Sequence, residues 1–493
     1  MLFNTLDFLV FFPVVLLVYF VLPTRTRYIW LLVASYYFYM CWNPAYVVLI
    51  VLSTVITYVC GRTIGVLRDN TLKKLVIAIS FIGNLGILVY FKYTGFLIDT
   101  MNSLLTAIRF QRIPTFDVLL PVGISFYTFQ ALGYTVDVYR GEVKAEKNLL
   151  KYALFVSFFP QLVAGPIERS KNLLNQINEE ANHKLWDYER VTSGLMTMLW
   201  GFFLKVVIAD RIAVLVDTVF TGYEQYGTVV LTAGAVAFAI QIYCDFAGYS
   251  TIAIGAAKTL GFDLMENFDT PYLARGIVDF WHRWHISLST WFRDYLYIPL
   301  GGSRCGKVRK YVNILITFGV SGLWHGAGWN YIVWGLLHGI YQIMEKVLKP
   351  IADSVHKRFH TRTESFGYKF FQAAVTFILV DFAWIFFRAD SIHQAVHYIQ
   401  RMFTCRDWWT LFDQSLYTLG LNVQEIHILV FGVVLLLLTD ILQYIKKKSL
   451  AEFLSGQWIV FRWSVLFVLL FTSIIFGYYG PGFDSTQFIY FQF

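Results

Sequence analysis

Apolar residues in this chain run in long blocks rather than alternating or recurring along one helical face. A helix needs roughly 20 mostly apolar residues to cross the hydrocarbon core of a bilayer. Blocks of that kind lie at 6–22, 28–43, 45–60, 75–98, 149–165, 192–216, 228–250, 311–345, 369–387, 426–445 and 459–479. The 311–345 block is longer than one span requires and predicts a bend. The pattern predicts an all-α integral membrane protein with roughly 10–12 transmembrane helices. Two stretches fit no simple span. Residues 119–140 are apolar but interrupted by Pro121, Gly123 and Gly133, and residues 261–310 interleave aromatics with arginines. Irregular backbone at membrane depth is tolerated only where protein or a wet cavity surrounds it. Both stretches therefore predict short re-entrant or interfacial helices around a site.

Composition agrees with the pattern. The chain is 57% hydrophobic, 19% aromatic and 15% charged, against roughly 25% charged in a soluble domain. A formal charge of +8 would suit nucleic acid. Here, however, the basic residues sit in short loops beside apolar blocks, where they orient a membrane protein; lipids are the expected surroundings and nucleic acid is not an expected partner. The first loop carries Arg25 and Arg27, the second, near Asn43–Pro44, carries none, and the third carries Arg62, Arg68, Lys73 and Lys74 against Asp69. This alternation predicts an N-terminus outside the cell. With Lys446–Lys447–Lys448 cytoplasmic, the tail from Gly480 to Phe493 is also expected outside. The first apolar run, Phe8 to Leu22, has no basic residue before it and only Asp7 as a charge, so it reads as a retained span rather than a signal peptide. Cys41, Cys60, Cys244, Cys305 and Cys405 lack metal-ligand spacing and read as packing residues, with no metal expected.

Candidate chemistry concentrates in two places. From Arg275 to Lys310 there are seven basic residues against Asp279 and Asp294. Two readings compete: an interfacial belt at headgroup level, or a cytoplasmic mouth whose guanidinium groups grip phosphates. The second place is His325, in the run FGVSGLWHGAGWN. An ionisable group at membrane depth marks a functional site by default, and histidine suits acid–base work near neutral pH. The competing reading is a neutral imidazole bonded to a carbonyl. His338, thirteen residues on, reads as packed and satisfied on another helix face, and His282 as structural. Serine-hydrolase elbows and HExxH zinc motifs are missing.

Five segments occur in order: LLPVGISFYTFQALGYTVDVYRG (119–141), YALFVSFFPQLVAGPIER (152–169), IYCDFAGYSTIAIG (242–255), MENFDTPYLARGIVDFWHRWHISLSTWFRDYLYIPLGG (265–302) and GLWHGAGWNYIVWGLLHG (322–339). Together they closely resemble the alginate O-acetyltransferase family within the membrane-bound O-acyltransferase superfamily. The likeness is strongest from about 119 to 345 and returns in the tail FIYFQF (488–493). It divides the chain into N-terminal helices (1–118), an acyltransferase core (119–345) and C-terminal helices with the tail (346–493). Two positions depart from the family pattern: His282 stands where arginine is common, and Thr251 where aspartate is common.

The resemblance implies that His325 is catalytic and that His285 is the second important histidine, in a central catalytic funnel. It implies an acetyl group drawn from a cytoplasmic thioester, acetyl-CoA, and passed across a bacterial inner membrane. The acceptor would be an exported polysaccharide, reached through a separate outer-face acetyltransferase or esterase-like protein. Arg283, Arg293, Arg304 and Lys307 are then the candidates to hold CoA phosphates. Tyr490 is a candidate acyl relay, with a C-terminal aromatic anchor as the competing reading. Two other functions stay open at this level: D-alanyl transfer from a carrier protein to teichoic acid, and polysaccharide or lipid transport.

Overall fold

Backbone N–H and C=O groups in lipid have no water to bond, so a spanning segment must satisfy them along its own helix. The computed structural model describes residues 1–115, 120–179, 186–479 and 489. Among these the chain is helices and connections, with one isolated β-bridge and no strand. Six helices are long and apolar enough to cross a membrane: Pro44–Val66, Asn70–Ala107, Thr228–Leu260, Phe366–Arg388, Val423–Lys446 and Ile459–Phe476. Leu6–Val21 is apolar but shorter. Their outer faces expose large apolar side chains such as Val434, Leu438, Phe471 and Ile475. Apolar exposure on that scale marks a surface made for lipid rather than water.

The chain forms two compact units. The first comprises Met1–Leu195 with Ile252–Met265. At its centre lies Ile124–Tyr139, a helix with almost every residue buried. Here the expected break at Gly133 does not occur: the helix runs through it and starts just after Gly123, whose positive φ of 74° turns the chain in. A glycine inside a helix packed on all sides leaves room for a neighbour instead of a break. Polar side chains tie the surrounding helices together: Ser53 donates to Asn84 at 2.5 Å and Tyr152 to Thr57 at 2.7 Å. Interhelical hydrogen bonds of this kind add cohesion where lipid supplies no hydrophobic drive. The expected span at 149–165 is corrected. It divides into Leu149–Ser157, buried from Tyr152 onward, and a short buried turn Phe159–Leu162, because Pro160 cannot continue the ladder.

The second unit comprises Met196–Thr251 with Glu266–Phe493. The 311–345 block is not one bent helix but parts of two, Lys307–His325 and Trp329–Arg358, separated at Gly326–Gly328. Glycines set how closely the two pack. A methyl group at Gly335 would collide with the Phe318 carbonyl, and one at Gly322 with the Tyr331 carbonyl. Small residues let backbones approach in this way, giving van der Waals contact that lipid cannot match. The 261–310 stretch does form short helices, Ile277–Arg283 and Ile286–Phe292, followed by a π-helical turn Arg293–Tyr297.

Gly335→Leu is expected to force the two helices apart and destabilise the fold by about 1–3 kcal/mol, the usual cost of overpacking. Thermal unfolding in detergent measures it; Gly367→Ala, where an added Cβ meets nothing within 4 Å, is expected to leave the melting temperature unchanged.

Candidate active site

Two histidines from separate motifs meet in the second unit. His325 is the last residue of Lys307–His325, and its ring lies 6.4 Å, centroid to centroid, from that of His285. Both are buried, at 3% and 0% exposure.

A short backbone clasp positions His285. Asp269 N–H donates to the Arg283 carbonyl at 3.0 Å, and Ile286 N–H donates to the Asn267 carbonyl at 3.0 Å. Phe268 and Trp284 form the antiparallel bridge between these two bonds. The clasp turns His285 into the left-handed region, φ 42° and ψ 54°. That conformation costs an L-residue roughly 1–2 kcal/mol, and such strain persists only when neighbours over-determine it. Asn267 supplies much of the restraint. Its side-chain oxygen accepts from the Ser287 hydroxyl at 2.6 Å, and its amide donates to Ser250 at 3.0 Å. His285 Nδ1 lies 3.5 Å from that same Ser287 hydroxyl, with the Phe246 ring edge-on at 4.6 Å.

His325 is oriented by its own helix. Its Nδ1 lies 2.7 Å from the Ser321 carbonyl oxygen. A carbonyl can only accept, so Nδ1 carries the proton and Nε2 the lone pair. The competing readings at this residue, a base or an imidazole bonded to a carbonyl, are therefore compatible. Trp324, Trp334 and Phe387 wall the ring at 4.9, 4.8 and 5.6 Å.

A cavity of about 450 Å³, within the usual range of small-molecule sites, borders this centre at Ile286 and Ser321; neither His285 nor His325 is part of its lining. Ser321, whose carbonyl orients His325, is part of its wall, with Trp281, Ile286, Phe318 and Gln342. His282, Arg293 and Lys346 supply its basic groups. Lys346 and Gln342 escaped the sequence reading, although their spacing of four from one another and of four from His338 to Gln342 puts all three on one helix face.

The four basic candidates separate. Arg293 lines the cavity and is half exposed; its hydrogen bond with Asp294, at 2.7 Å, pushes its already high pKa further up. Arg304 and Lys307 are exposed and do not line the cavity. Arg283 is paired with carboxylates on its own segment. Its guanidinium bonds Asp279 at 2.7 Å and reaches Asp269 at 3.6 Å, which commits its charge to holding the clasp. His282 and His338 also differ from expectation. His282 faces the cavity. His338 is only half satisfied: Nδ1 accepts from Trp281 Nε1 at 3.2 Å, while Nε2 has no hydrogen-bond partner among the described residues. Both His338 and His325 flank Trp334, at 5.2 and 4.8 Å. Tyr490 lies outside the described residues.

Apolar-faced helices carrying a buried histidine pair beside a basic-rimmed cavity define a membrane-embedded enzyme. The family model described as MBOAT, membrane-bound O-acyltransferase family, matches residues 142–386. A protein from Pseudomonas syringae pv. tomato named "Probable alginate O-acetylase AlgI" is 39% identical over 400 residues, 81% of this chain and 74% of that one. The Helicobacter pylori "Peptidoglycan O-acetyltransferase" is 36% identical over 435 residues, 82% of this chain and 80% of that one. The Bacillus subtilis "Teichoic acid D-alanyltransferase" is 29% identical over 251 residues, 47% of this chain and 62% of that one. The chain belongs to the membrane-bound O-acyltransferase family, and it is an acyltransferase.

Asn267→Ala removes the acceptor for Ser287 and the donor to Ser250 while leaving His285 strained. It is expected to lower stability by about 1–3 kcal/mol, the cost of orphaning buried hydrogen-bonding groups, read as a fall in melting temperature. An unchanged melting temperature would show that the backbone clasp alone suffices.

Proposed function

We propose that this enzyme is an O-acetyltransferase that takes acetyl from acetyl-CoA on the cytoplasmic side and delivers it outward for modification of an exported polysaccharide. The carrying observation is the hydrogen bond from His325 Nδ1–H to the Ser321 carbonyl beside the cavity. It fixes the tautomer whose Nε2 accepts a proton. The names and the coverage of the alginate and peptidoglycan relatives favour acetyl over D-alanyl as the group transferred, and a glycan as the final acceptor.

In this scheme the thioester enters the cavity with its phosphates toward Arg293 and Lys346 and its acetyl end toward Ser321. Arg304 and Lys307, exposed nearby in sequence, would meet the outlying phosphates. His325 Nε2 takes the proton of an acceptor hydroxyl, whose oxygen bonds the acetyl carbon as the carbon–sulfur bond breaks. The proton then passes to the departing thiolate, which leaves as CoA thiol. The imidazolium formed in between keeps its Nδ1–H bond to the Ser321 carbonyl, which stabilises the added charge. His285, rigidly clasped opposite, would orient the thioester carbonyl.

Tyr490 is the proposed first acceptor. A phenol of ordinary pKa about 10 gives an ester reactive enough to pass the acetyl group onward. The enzyme would sit in a bacterial inner membrane with N-terminus and tail outside. There a separate acetyltransferase or esterase-like protein would collect the group.

His325→Ala is expected to keep the fold, with a lowered melting temperature, and to lower acetyl transfer by about 10²–10⁴-fold, the usual contribution of a general base. Intact-mass measurement after incubation with acetyl-CoA is expected to show one added acetyl group on wild type and none on Tyr490→Phe. Wild-type turnover in His325→Ala would falsify the general-base assignment.

A further inference from the structure

The second unit holds a buried ionic cluster that the proposed chemistry does not use. Lys205 Nζ lies 2.5 Å from Asp245 Oδ1 and 2.7 Å from Asp210 Oδ1, with all three side chains almost fully buried. Among the described residues one ammonium faces two carboxylates. A buried charge in that position needs further donors. One donor comes from the far end of the chain: Ile489 N–H bonds Asp245 Oδ2 at 2.8 Å. The Ile489 side chain is 1% exposed and packs in the same core as Phe203, Val207 and Phe238.

A second feature holds the preceding part of the tail to the same place. Phe203–Ala209, which contains Lys205, is a π-helical turn. Such a turn shifts the bonding ladder by one residue and leaves a carbonyl available to an outside donor. The Val206 carbonyl accepts from Tyr478 N–H at 2.7 Å. Two residues earlier, the Phe476 carbonyl accepts from Arg211 at 2.7 Å. Residues 476, 478 and 489 are thus all bonded to the segment 205–211 or to the aspartate paired with its Lys205.

We infer that Asp245 is a positioning residue for the chain's tail. Held by Lys205, its carboxylate clamps the Ile489 peptide N–H, one residue before Tyr490 in the sequence. The catalytic consequence rests on the relay assigned above to Tyr490; the docking itself does not.

Chymotrypsin cleavage of the aromatic tail, in the detergent-solubilised full chain, reports its release. Asp245→Asn is expected to speed that cleavage about tenfold or more, as for loss of a hydrogen bond to a charged acceptor. Ile489→Pro deletes the donor and leaves the Lys205–Asp245–Asp210 cluster intact, and it is expected to do the same. If Asp245→Asn does not fold, Ile489→Pro decides alone. Cleavage at the wild-type rate in Ile489→Pro overturns the docking. With the tail released, KM for acetyl-CoA is expected to hold while kcat and the tail adduct fall together. A released tail with unchanged kcat overturns the positioning role. Wild-type transfer by Tyr490→Phe overturns the relay instead and leaves the docking standing.

Discussion

Every polar group inside an apolar solvent has to find its partner within the protein, and the second unit is organised around the places where a regular helix leaves one over. The Ser321 carbonyl, one turn before a helix end, takes the imidazole proton of His325. The Val206 carbonyl, set aside by a π-helical turn, takes the tail at Tyr478. Asp245, paired with Lys205 through one oxygen, takes it at Ile489 through the other. Ser321 and Asp245 are buried and Val206 partly so, and each orients a part of the molecule that the chemistry is proposed to need.

Close backbone approach makes the histidine centre possible. Gly322 and Gly335 let Lys307–His325 and Trp329–Arg358 pack until each glycine nearly touches a carbonyl of the other helix. That distance brings Trp334, which also touches His338, against His325. The opposite side is built from irregular chain: the clasp at 267–287 strains His285 into the left-handed region and commits Arg283 to two aspartates. Regular helices supply the base, and a strained loop supplies its neighbour. This division matches the rule that strain is held where the surroundings over-determine it.

Much of this was legible in the sequence. Long apolar blocks announced membrane helices because the requirement for a span is local: enough consecutive apolar side chains, whatever lies elsewhere in the chain. His325 stood out as an ionisable residue in such a block, and the ordered motifs linked it to His285. Lys205 carried the same signal, an ammonium inside the 192–216 block, but its meaning depends on Asp245, forty residues away, and on the far end of the chain. Gly133 and Pro160 show the limit in the other direction. Both are breakers by local propensity, yet one sits in an unbroken helix and the other divides a block that looked continuous.

The sequence by itself determined the solvent, the helical class, the family and the two histidines, because hydropathy and motif order are properties of the chain read in one direction. Only the tertiary structure decided which charges are committed. It set Arg283 on its aspartates, brought Lys346 and His282 to the cavity with Arg293, and put Ile489 on Asp245. Those assignments follow from which helices pack together. A buried charge is settled by whichever partner packing brings within hydrogen-bonding distance, and sequence separation has no bearing on that distance.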